Sequence, residues 1–213
     1  MQSRTLSREL ALLMLGQTSD RAGATPGAQP SAMEGLLQQV LATLSQHVRE
    51  ALDRSAEDLQ TAQQQLLDSE LQEQGELQLP RVRQHLNAGL VAAEQAINRL
   101  SAGLELPRLL LLADQDEVRR GAIARVEAVL RDREAIDARL DGVMEGWRLT
   151  RLPRIDRDIL RLAAVDLDSF HTPAAVACNE AVELANRYSD EQGRRMINGV
   201  LRRFTAARTV AEA

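Results

Sequence analysis

Apolar residues recur every third or fourth position along most of this 213-residue chain, and that spacing most constrains what it can fold into. Leu6, Leu10, Leu13 and Met14 form one stripe of a helix over residues 4–17. Leu41, Leu44, Val48, Leu52, Ser55, Leu59, Ala62 and Leu66 carry the pattern through residues 33–72. After Gly75 and Pro80, Val82, Leu86, Leu90, Ala93, Ile97, Leu100 and Leu104 repeat it. No convincing strand is found. Only 2% of residues are aromatic against 44% hydrophobic, so the core must be aliphatic, which favours helices. The predicted class is all-α.

The breaks between these runs give the organisation. TSDRAGATPGAQPSA, residues 18–32, reads as a flexible linker. The two long helices around Gly75 and Pro80 suggest an antiparallel hairpin whose apolar stripes mostly satisfy each other. A further helix is predicted over 116–147, capped by Asp114 or Asp116, with Ile136, Leu140, Val143, Met144 and Trp147 on one face. Pro153 restarts the chain for a helix over 154–168. Thr172 and Pro173 then read as an N-cap followed by proline at the first helical position. That helix aligns Ala174, Ala177, Cys178, Ala181, Val182 and Ala185, a small-residue stripe that permits close helix approach. The last helix, 190–207, presents Ile197, Val200, Leu201 and Phe204. Two domains follow: 1–114, and 115–213.

Composition narrows function. No run approaches the eighteen or so apolar residues of a membrane span, and Met1 is not followed by a signal-peptide pattern. One cysteine, Cys178, allows no internal disulfide and fits a reducing cytoplasm. An apolar helical face around it suggests a core thiol, not a nucleophile. His47, His85 and His171 lack metal-ligand spacing, and no glycine-rich phosphate loop precedes a helix. Neither an enzyme nor a cofactor is expected.

All 26 basic residues are arginine. Arginine forks suit phosphate and base edges; a coding bias toward arginine explains the same count. The net charge of −5 is unevenly placed. Residues 18–114 hold seven arginines against thirteen acids, a net of −6, whereas Arg194 to Arg208 contains five arginines and no acid. Screening over about 8–10 Å lets a local basic face act within an acidic protein.

Three blocks carry a resemblance. They are Ile155, Asp156 and Ile159 to Leu162; then Pro173, Val176 and Asn179 to Ala185; then Ile197 to Leu201. In this order and spacing they resemble the C-terminal half of the NusB family of bacterial transcription antitermination factors. The resemblance covers residues 1–17 and roughly 115–205, with residues 18–114 looking like an enlarged insertion in place of a short second helix. It implies an all-α fold of two small helical subdomains, here with an inserted helical hairpin.

It also implies a function. NusB proteins bind boxA, a single-stranded leader element of ribosomal RNA operons, with the ribosomal protein NusE, inside the RNA polymerase antitermination complex. Arg4 and Arg8 match the N-terminal basic positions, and Arg194 and Arg195 the basic pair before the INGVL block. Both sites are read as helix termini, where backbone N–H groups also favour phosphate. Asp156 matches a position at the NusE interface. Ala175 and Met196 depart from the family, which often has a basic and an aromatic residue there. Asn179 and Asn198 are read as buried amides bonded to neighbouring backbone. The alternative is a helical protein-binding adaptor with little RNA affinity; a second, the RNA-binding portion of a ribosomal RNA methyltransferase, is disfavoured because no nucleotide-binding glycine loop is found. Neither a membrane nor a small-molecule substrate is expected as a partner.

Overall fold

The computed structural model describes residues 2–18, 30–71, 79–113 and 115–211. Eight α-helices account for nearly all of them: α1 Gln2–Gln17, α2 Pro30–Leu71, α3 Leu79–Ala113, α4 Asp116–Arg131, α5 Arg133–Val143, α6 Arg154–Asp168, α7 Ala174–Tyr188 and α8 Glu191–Ala211. Among the described residues there is no strand. No helix there is long and apolar enough to cross a membrane.

The chain forms two compact units, one of residues 1–40 with 112–213, the other Leu41–Leu111. The division expected at residue 114 therefore shifts, because α1 packs on α4 and α6 and belongs with the C-terminal helices. Most of the predicted linker lies outside the described residues, but its last positions already belong to α2.

In the first unit α6 is the central helix, buried from Ile159 to Leu167 and packed on α1, α4, α5, α7 and α8. That explains its unbroken run of buried positions: a helix covered on all sides needs no polar face. Helix α1 is likewise enclosed, with Leu6 through Leu12 all buried rather than one stripe. Its close approach to α4 depends on Gly121, where a Cβ would stand 2.8 Å from Ser7 Oγ. Ser7 Oγ meanwhile donates to the Ser3 and Val118 carbonyls.

Two predicted helices differ. The helix expected over 116–147 breaks at Asp132 (φ −102°, ψ 14°) and ends at Val143. The chain then turns through Gly146 at φ 75°, a left-handed value that favours glycine. Trp147 consequently stands exposed instead of joining the Ile136–Leu140 face. Helix α4 has Gln115 as its N-cap, with Asp116 inside the first turn; Asp114 lies outside the described residues. Helix α7 begins one residue later than expected, with Pro173 at the cap. Thr172 instead donates its N–H to the Asp166 carbonyl, closing the end of α6.

The second unit is an antiparallel hairpin, pinned where Gln65 Oε1 meets His85 Nδ1 at 2.7 Å and where Gly89 faces the Ala62 carbonyl. Beyond Leu44, its buried positions are small residues: Ser55 and Ala62 on α2, Gly89, Ala92 and Ala96 on α3. The long aliphatic stripes do not satisfy each other as expected. Small residues draw the axes together and leave the leucines at the side.

Candidate nucleic-acid interface

Arginine does two jobs inside this fold before any is left for a ligand. The first is at Asp166, a carboxylate 2% exposed on α6. Arg8 of α1 donates its Nε–H to Oδ2, and Arg125 of α4 donates to Oδ1 at 3.0 Å. Two cations thus balance a buried anion, which would otherwise be costly to desolvate. Burial lowers the Arg125 guanidinium below its ordinary value, against the opposing pull of Asp166. Phe170 packs on its face, with the ring centroid 4.5 Å away.

A second such centre is Arg161, which meets both oxygens of Asp137 at 2.7 Å and Asp158 at 2.8 Å. Burial lowers its affinity for the proton, but the two carboxylates outweigh this and hold it above the ordinary arginine range.

The second job is closing helix ends. Arg154 donates to the Leu15 and Thr18 carbonyls at the end of α1. Arg203 donates to the Val143 carbonyl at the end of α5 (2.8 Å), and Arg208 to that of Leu167 near the end of α6 (2.7 Å). A cation there meets unpaired carbonyls and the negative end of the helix dipole. Two of the five arginines in the basic run 194–208 are therefore committed to neighbouring helices.

The sequence-predicted site residues separate accordingly. Arg4 is exposed in the first turns of α1. Arg8, expected on RNA, is 4% exposed and bound to Asp166; phosphate would have to displace a buried carboxylate to reach it. Arg194 is half-buried and donates to Asn186 Oδ1 at 3.1 Å. Arg195 is exposed and paired with Glu191 one turn earlier, a solvated pair that contributes little and exchanges readily. The start of α8 offers fewer free N–H groups than expected, because Asp190 Oδ1 already accepts from the Gly193 N–H at 2.7 Å.

Asp156, matched by resemblance to the NusE interface, is 2% exposed. Among the described residues its Oδ1 has no hydrogen-bond partner, and the carboxylate lies against Gly193 in the first turn of α8. Asn179 and Asn198, expected inside, are exposed, each falling off its helix's buried face. Cys178 is half-buried, and burial raises its thiol pKa.

A chain of contacts joins the two ends of this surface. Thr5 donates to Glu180 at 3.0 Å. Glu9 accepts from Arg187 and Tyr188, and Asn186 from Arg194. On α8, Arg195, Asn198 and Arg202 step by three and four and are all exposed.

Residues 81–206 match the model of the NusB family. The chain belongs to the NusB family. Among its relatives, a Synechocystis protein named transcription antitermination protein NusB is 41% identical over 208 residues, spanning 98% of this chain and 93% of that protein. The protein of the same name from Synechococcus elongatus is 45% identical, over 96% and 93%. That from Gloeobacter violaceus is 42% identical, over 95% and 94%. A solved structure of T. maritima NusB overlays with TM-score 0.41 and 23% identity, covering 71% of this chain and 89% of that one.

The match starts at residue 81, inside the stretch read as an insertion, and the alignments to these NusB relatives span nearly all of the chain. The NusB blocks sort by their physics. Ile159, Leu160, Leu162, Ile197, Val200 and Leu201 are core, whereas Val176, Asn179 and Asn198 face solvent. Sequence reasoning missed Asp166, although an acid set inside the apolar run LAAVDL signals a buried partnered charge.

Proposed function

We propose that this protein is a transcription antitermination factor of the cytoplasm that binds boxA-type leader RNA together with NusE, within the RNA polymerase antitermination complex. The observation that carries the reading is the exposed row on α8: Arg195, Asn198 and Arg202, with Arg194 beside it. Guanidinium groups supply phosphate affinity, and an exposed amide can read the edge of an unpaired base. Arg4 extends the basic character to α1. Asp156 is better suited to holding the start of α8 than to meeting NusE directly.

The test is electrophoretic binding to a boxA RNA with and without NusE. Changing Arg194 and Arg195 together to alanine should weaken binding and flatten its salt dependence by up to about 0.7 per lost phosphate contact. An unchanged slope removes the pair from the site. The burial of Arg8 and the commitment of Arg203 and Arg208 favour one other reading, a protein-binding adaptor with little RNA affinity. NusE binding without RNA binding at moderate salt would select it.

A further inference from the structure

The hairpin of α2 and α3 has an exposed apolar side. With 100° between successive residues, Leu52, Leu59 and Leu66 fall to one side of the Ser55–Ala62 seam. Leu86, Leu90 and Ile97 fall to the matching side of the Gly89–Ala96 seam. All six are 40–69% exposed. Leu66 is pinned beside the other helix, its Cγ 3.9 Å from the position of a Cβ on Gly89. The seam between the helices is closed mainly by small residues, which leaves much of these side chains in water.

We propose that this side is the interface through which two copies of the chain associate. Their combined exposed surface is on the order of 600 Å², the upper end of what monomers leave uncovered. Two such faces together would remove about 1,200 Å² from water, the lower bound of a specific interface. The chemistry of the face points to a second copy. The central side chains are aliphatic and carry no charge to attract RNA or an ionic protein, so the best complement is another such face. At its outer edge α3 carries Arg83 and Glu94, three helical turns apart and both exposed. If the two α3 helices stack antiparallel about a two-fold axis between residues 88 and 89, each Arg83 meets the other copy's Glu94. The same axis sets Leu86 near Leu90 of the second copy. A closed, self-complementary contact of this kind is the commonest way soluble chains pair.

Sedimentation velocity of the full chain over a range of concentrations tests this. The expected result is a reversible monomer–dimer equilibrium. Leu90→Glu puts a charge in the centre of the face and should weaken dimerisation by about tenfold or more, with helicity unchanged by circular dichroism. Arg83→Glu and Glu94→Arg should each weaken it, and the double exchange should restore it. A monomer at every concentration would overturn the proposal, as would a dimer indifferent to Leu90→Glu. Failure of the double exchange to restore pairing would overturn the antiparallel α3 contact. Since RNA binding is not the readout, these results are separate from those on boxA.

Discussion

Arg8 and Asp166 form a buried ion pair between α1 and α6, Nε–H to Oδ2, and Arg125 holds the other oxygen of the same carboxylate. An arginine matched by resemblance to RNA contact is thereby part of the scaffold that places the helices. Phe170 covers Arg125 in turn, so three helices and a loop contribute to this cluster.

Removing Arg8 leaves that charge with one cation in place of two. Arg8→Ala should destabilise the fold by about 3–5 kcal/mol, the usual cost of breaking a buried pair. Arg4→Ala, at an exposed position, should stay within about 0.5 kcal/mol of the parent. Urea unfolding of both variants checks this. Equal midpoints would return Arg8 to the surface and to the RNA site.

Two glycines of α8 should respond in opposite directions. A Cβ on Gly193 would overlap Ser189 Oγ and stand 2.9 Å from Asp156 Oδ2, whereas nothing lies within 4 Å of one on Gly199. Gly193→Ala should cost about 1–3 kcal/mol by overpacking. Gly199→Ala should stabilise by up to about 1 kcal/mol through helix propensity. Thermal melts that rank the two the other way would contradict the packing at the start of α8.

Helix α7 gives a test of phase. Ala181 is buried against its neighbours and Glu183 is exposed. Ala181→Leu should destabilise by about 1–3 kcal/mol, while Glu183→Ala should be close to neutral. Equal tolerance would mean that α7 turns a different face to the core.

Tyr188 is the only tyrosine in the chain, so its ionisation can be followed directly by ultraviolet absorbance. Burial, and then its hydrogen bond to Glu9 at 2.7 Å, raise its pKa above the ordinary value. That value is about 10. A pKa raised by folding gives stability that is complete below the unfolded value and lost as pH rises through the folded one. The fold should therefore hold this contribution up to about pH 10 and lose it beyond. Glu9→Gln should bring the titration partway back toward normal. A parent protein that titrates at the ordinary pH while still folded would contradict the burial of Tyr188.

Local rules were enough for much of this molecule. Spacing of three and four marked out the helices, because an amphipathic helix writes its own period into the chain. The bounds of α6 were legible for that reason, and so was the antiparallel hairpin, since two periodic runs flank a Gly/Pro turn. The blocks around Asp156, Asn179 and Ile197 were enough to indicate the family. What the tertiary structure decided is which side of each helix is covered and what each charge meets. Arg8 and Arg4 have the same side chain four residues apart, yet one is enclosed by α4 and α6 and the other is wet. Asp156 and Asp166 entered the core, and Asn179 and Asn198 left it, for the same reason: burial is set by neighbours distant in sequence. Leu52 and Leu90 carry the period of a core residue and remain exposed, because serine, alanine and glycine occupy the seam between the two helices.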